Sequence, residues 1–102
     1  MRHASQTALD QLEPLLAELR TLGLTEKSRG VFYRKSRAFL HFHEDPRGLF
    51  ADIRDATGAD FERVDVTGAA GRTRLVELAR ARACQSGSSD GGRLRGRDRL
   101  KV

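Results

Sequence analysis

Apolar and polar residues alternate along residues 30–67, which is the pattern of β-strands that bury one face in a core. Four alternating runs are separated by turn signals at residues 35–36, 45–48 and 56–59. The sequence Asp-Pro-Arg-Gly at 45–48 is typical of a type I turn, because proline presets φ at the second position and glycine accepts a positive φ at the end. The pattern therefore predicts a four-stranded antiparallel meander.

The two sides of this predicted sheet differ in composition. The side assigned to the core carries mostly aliphatic residues, namely Val31, Tyr33, Ala38, Leu40, Phe42, Leu49, Ala51, Ile53, Val64 and Val66. The other side carries four of the five phenylalanines together with charged residues and histidines, namely Phe32, Arg34, Arg37, Phe39, His41, His43, Phe50, Asp52, Arg54, Phe61, Arg63 and Asp65. The register predicts three cross-strand rows on that side: Phe32–Phe39–Arg54–Phe61, Gly30–His41–Asp52–Arg63 and Ser28–His43–Phe50–Asp65.

Helical periodicity flanks the meander. Leucines recur at spacings of three or four between residues 5 and 22, which predicts an amphipathic helix. Pro14 predicts a kink or a new helix start near residues 10–14, and Gly23 is expected to end the helix in a left-handed conformation. Residues 24–29 are predicted as a polar connector. Thr67 is predicted to cap a second helix that follows it and lies beside the first.

These elements predict an α+β fold with the order α-β-β-β-β-α, in which both helices cover one face of the sheet. Residues 46–57 also suit a helix, because Leu49, Phe50 and Ile53 have helical spacing. That alternative gives the order α-β-β-α-β-α. The hairpin is favoured, because the turn at 45–48 closes it and the residues that follow alternate.

Composition limits the classes of protein that this chain can be. Residues 1–84 are predicted to form one domain, and the glycine-, serine- and arginine-rich residues 85–102 a disordered basic tail. The net charge is +5, but residues 1–83 contribute only +2 of it, and arginine outnumbers lysine 16 to 3, as is also typical of a GC-rich bacterial genome.

No apolar run is long enough to span a bilayer, and the first ten residues do not resemble a secretory signal, so a cytoplasmic location is expected. Cys84, the single cysteine, has no partner for an internal disulfide.

The phenylalanine-bearing side leads to three functional hypotheses. An exposed aromatic patch usually marks an interaction surface, which predicts a homodimer or a protein partner. His41, His43 and Asp52 are predicted to lie together and offer a ligand set for a metal ion or small ligand, or an acid–base pair. Aromatic rings with arginines are also typical of single-stranded nucleic-acid binding, although Asp52 and Asp65 would repel phosphates. No cofactor motif and no activated nucleophile is evident, so no cofactor is predicted and an enzyme is not favoured.

Overall fold

The computed structural model describes residues 2–83, which form six strands and three helices. The strands are β1 (Arg2–His3), β2 (Thr25–Ser28), β3 (Val31–Arg34), β4 (Arg37–Asp45), β5 (Gly48–Arg54) and β6 (Phe61–Asp65); the helices are α1 (Gln6–Gln11), α2 (Glu13–Arg20) and α3 (Ala69–Ala83). The predicted α+β class is confirmed, with two short strands more than expected. Cys84 and the predicted tail at 85–102 lie outside the described residues.

All strand pairs in this part of the chain are antiparallel, and the order across the sheet is β2-β3-β4-β5-β6. Strand β1 pairs with the second half of β4, where Arg2 lies opposite Glu44 and His3 opposite His43. It thereby continues the line of β3, whose Val31 lies opposite His41 on the same strand. The N-terminal residues are thus built into the sheet.

The N-terminal helical segment divides where proline predicted it would. The Ser5 hydroxyl caps α1 by accepting a hydrogen bond from the Ala8 amide at 3.2 Å. Leu12 separates α1 from α2, and Pro14 occupies the first turn of α2, where its missing N–H costs nothing. Gly23 follows α2 with a φ of +77°, as predicted.

Residues 46–57 do not form a helix, so that alternative is wrong. Strand β5 pairs along its length with both β4 and β6, which gives its backbone groups partners on two sides. The turn before β5 is held by the Asp45 carboxylate, which accepts a hydrogen bond from the Arg47 amide at 2.9 Å. At the preceding turn, Lys35 and Ser36 both have positive φ, at 52° and 68°, as the two-residue turn of a tight hairpin requires.

Strand β3 is the main departure from the predicted faces. Arg34 and Tyr33 pair with Arg37 and Ala38 as expected, but Phe32 lies opposite Leu40 rather than Phe39. Phe39 is therefore an extra residue in β4, a β-bulge. Because of this bulge, the residues of β3 face the opposite side of the sheet from the one predicted. As a result, Phe32 and Phe39 are buried in the core at 0% and 4% exposure. Val31 and Tyr33, which were predicted in the core, face the other side.

Two further predictions are corrected by hydrogen bonds. The predicted connector at 24–29 contains the edge strand β2, whose charged sequence lacks apolar alternation and is held mainly through its backbone pairing with β3. Thr67 does not cap α3 with its side chain. Its hydroxyl accepts a hydrogen bond from the Leu49 amide at 3.0 Å and donates one to the Leu49 carbonyl at 3.3 Å.

One hydrophobic core lies between the helices and one side of the sheet. Helix α3 packs against α2, β5 and β6, so the two helical segments lie side by side as predicted. The core comprises Leu9, Leu12, Leu15, Leu16, Leu19, Phe32, Phe39, Leu40, Phe42, Ala51, Ile53, Val64, Val66, Leu75, Val76 and Ala79. All three helices contribute to this cluster, so the opposite side of the sheet is left to face outward.

Candidate functional site

The outward side of the sheet, called the open face below, carries most of the chain's candidate chemistry. Alternation along the strands assigns to it Val31, Tyr33, His41, His43, Phe50, Asp52, Arg54, Phe61, Arg63 and Asp65. The predicted rows are confirmed from β4 to β6, because His41, Asp52 and Arg63 lie in one row and His43, Phe50 and Asp65 in the next. The part of the open face formed by β4, β5 and β6 thus has the predicted register.

Four predicted members of this surface need correction or a narrower description. Phe32 and Phe39 are buried in the core, for the reason given by the bulge. The Arg34 guanidinium donates a hydrogen bond to the Ala83 carbonyl at the end of α3, so it lies on the helix side. Arg37 is exposed at the end of the sheet and donates to the Gly58 carbonyl at 3.3 Å. Two phenylalanines, Phe50 and Phe61, therefore remain on the open face instead of four.

Asp52 is the centre of the polar contacts on the open face. The Arg63 guanidinium donates two hydrogen bonds to it, from Nε at 2.8 Å and from Nη2 at 2.9 Å. These bonds outweigh partial burial and hold the pKa of Asp52 below its ordinary value. The predicted pairing of Asp52 with Arg63 is confirmed. The imidazole in contact with the carboxylate is that of His43, 3.2 Å away, rather than that of His41 directly across the strands.

Three histidines converge beside this carboxylate. His41 Nδ1 lies 2.9 Å from His43 Nε2, and the two rings meet edge to face with their centroids 4.8 Å apart. His3, on β1, stacks on the His43 ring at a centroid distance of 5.0 Å. Burial, followed by the proximity of His43, lowers the pKa of His41 and favours its neutral form.

His3 was missed by the sequence reading, because a two-residue strand has no periodicity that could be recognised. The available signal was composition. The chain has three histidines in total, and all three meet at this point. Their association could not be predicted without knowing that β1 pairs with the end of β4.

His3 is held in place by contacts on the same short segment. The Glu44 carboxylate accepts hydrogen bonds from the Ser5 amide at 2.5 Å and from the Arg2 guanidinium at 3.1 Å. These contacts, led by that with the Ser5 backbone, lower the pKa of Glu44 to about 2. The Ala4 amide also donates to the Phe42 carbonyl at 3.1 Å, which completes the attachment of β1 to β4.

Phe61 lies next to this cluster and is the only large hydrophobic residue of 2–83 classed as exposed, at 39%. The His41 and Phe61 rings meet edge to face with their centroids 5.0 Å apart, and the Arg54 guanidinium lies 4.3 Å from the Phe61 centroid. Arg54 is fixed there by a 2.9 Å hydrogen bond to the Ala38 carbonyl. The open face thus combines the exposed ring of Phe61, the three-histidine cluster and the Asp52 carboxylate, which is hydrogen-bonded to Arg63.

No family model, curated protein or solved structure matches this chain. In residues 2–83 no helix is long and apolar enough to cross a bilayer.

Proposed function

We propose that this chain is a small protein-interaction module that self-associates through the open face. The observation that carries the proposal is the position of Phe61, which is 39% exposed on a sheet side that none of the helices α1 to α3 covers. Large apolar residues grouped on an uncovered sheet side are typical of surfaces that bind another protein. Phe50 lies on the same side and is half-buried, which extends the apolar area.

The charges of the open face suit a second copy of the same chain. Asp52 and Asp65 alternate with Arg54 and Arg63 across β5 and β6, so both signs are present within one small area. A twofold axis places the same patch on both subunits, and a surface that carries both signs can then be complementary to itself. Arginine and phenylalanine are also enriched at such interfaces.

Single-stranded nucleic acid is less well supported as the occupant. Phosphate binding needs available guanidinium groups, but Arg63 is bonded to Asp52 and Arg54 to the Ala38 carbonyl. Arg34 bonds the end of α3 on the opposite side of the sheet. A nucleic-acid function requires binding to single strands that survives deletion of residues 85–102.

The test is the solution mass of Phe61→Asp against that of the wild type. We expect the wild type to sediment as a dimer, at about twice the 11.4 kDa of the chain, and Phe61→Asp to shift toward the monomer. The physical reason is that an interface would have to desolvate the new carboxylate without a partner. The matched control is Thr73→Asp, which adds the same carboxylate at an exposed position of α3 and should leave the mass unchanged.

Two results count against the proposal. One is a wild-type protein that remains monomeric at the highest concentration reached. The other is a dimer that Thr73→Asp disrupts and Phe61→Asp does not, since that places the interface on the helices.

A further inference from the structure

The three histidines lie beside Phe61 at the open face, and their chemistry goes beyond what self-association requires. Its ligand atoms, one nitrogen from each of His3, His41 and His43, all lie within 4.8 Å of one another. Imidazole nitrogen is a preferred ligand of zinc and related transition-metal ions. Neighbouring nitrogens of a tetrahedral zinc site are about 3.3 Å apart, given Zn–N distances of about 2.0–2.1 Å. The 2.9 Å between His41 Nδ1 and His43 Nε2 is close to that separation.

The arrangement of acceptor atoms around His43 Nε2 also suits a cation. Ionised Asp52 can only accept hydrogen bonds, so a proton on His43 Nε2 faces both the carboxylate and the lone pair of His41 Nδ1. A metal ion can take the position of that proton, because the same lone pairs then converge on it. Neutral imidazoles are required for this exchange.

The neighbouring charges do not exclude the ion. The positive charge of Arg63 is paired with both oxygens of Asp52, which reduces its repulsion of a cation. The carboxylate in turn touches His43 at 3.2 Å. Because this contact is to Nε2, the nitrogen that also faces His41, the carboxylate lies beside the position of the ion and offsets its charge as an oxygen ligand.

From these contacts we propose that His3, His41 and His43 bind a divalent transition-metal ion of the zinc class, with an oxygen of Asp52 as the fourth ligand. Three imidazole nitrogens and one carboxylate oxygen make up the four ligands of a tetrahedral zinc site. Because His3 belongs to β1, the ion also joins the N-terminal strand to the centre of the sheet.

The test is calorimetric titration of the full chain with zinc sulfate, using protein prepared without a histidine tag and treated with a chelating resin. We expect one ion per chain. His3→Ala should weaken zinc binding by well over tenfold without unfolding the protein, since His3 is exposed. Asp52→Asn should weaken it by about tenfold or more, because a neutral amide replaces the charged oxygen ligand.

The matched control is Cys84→Ser, which removes the chain's one thiol and should leave zinc binding unchanged. A second readout is the visible absorption of the Co²⁺ form, which reports coordination geometry independently of affinity. A zinc stoichiometry near zero for the wild-type chain would overturn the proposal. So would undiminished affinity in His3→Ala, or loss of binding in Cys84→Ser alone. Stoichiometry is measured per chain, so these outcomes do not depend on self-association.

Discussion

At the scale of single residues, close backbone approaches fix how α3 leaves the sheet. Gly71 lies in the first turn of α3, and a Cβ at this position would overlap the main-chain oxygen of Asp65 at the end of β6. Glycine is thus required at this position because there is no space for a side chain, and not because the backbone must be flexible.

Gly71→Ala should lower the free energy of unfolding by about 1–3 kcal/mol, because the new methyl group meets backbone that cannot turn aside. Gly68→Ala is the control, since a Cβ there meets nothing within 4 Å. Its effect should stay within about 1 kcal/mol, because the loss of a favourable residue at the helix start is partly offset by lower entropy of the unfolded chain. Urea denaturation of both variants measures the difference, and equal effects would refute the spatial argument.

At the scale of elements, one bulge determines which residues reach the open face. The extra residue Phe39 in β4 turns Phe32 into the core, where it is fully buried. It also moves Arg34 to the helix side, where the guanidinium bonds the end of α3. The number of phenylalanines on the open face is thereby halved, and the histidines and Asp52 become its most distinctive feature.

Phe32→Ala and Phe61→Ala make the same chemical change on opposite sides of the sheet. Phe32→Ala should cost about 3–5 kcal/mol of stability, because it leaves a cavity in a packed core. Phe61→Ala should cost about 1 kcal/mol, mainly through the lost contact with the Arg54 guanidinium. Thermal and denaturant unfolding of both variants test this ranking. Similar losses for the two would mean that β3 does not have the register described.

At the scale of the whole molecule, ion pairs tie the helices to the edge of the sheet. The Arg20 guanidinium at the end of α2 bonds Glu13 and Glu26, each at 2.6 Å, and so links the helix to strand β2. Glu26 also accepts a hydrogen bond from the Gly30 amide at 3.0 Å. The bond from Arg20 is the leading cause that lowers the pKa of Glu26 below its ordinary value of 4.5.

A carboxyl with a lowered pKa in the folded protein stabilises the fold above its unfolded pKa, and this contribution is lost as the pH falls through the folded value. The wild type should therefore be more stable than Glu26→Gln at pH 7, and the difference should shrink below about pH 4.5. Thermal unfolding between pH 7 and pH 3 measures it. Glu77→Gln, at an exposed position of α3, is the control. A difference between wild type and Glu26→Gln that does not change with pH would contradict the role given to this ion pair.

The sequence by itself determined the α+β class, the division of the N-terminal helix at Pro14, and the hairpin at 45–48 with the register of β4, β5 and β6. These features follow from local rules, namely periodicity, proline geometry and turn chemistry, which act between neighbouring residues. The row of His41, Asp52 and Arg63 could be predicted for the same reason.

Only the tertiary structure decided the side on which β3 faces and the presence of His3 beside His43. Polar and apolar residues still alternate on each side of a bulge, so the sequences of β3 and β4 are compatible with either face of the sheet. The packing of the hydrophobic core decides which face is buried. Strand β1 is too short to have a pattern and exists because β4 and the Glu44 contacts hold it. The histidine cluster therefore arises from long-range pairing, which residue spacing cannot encode.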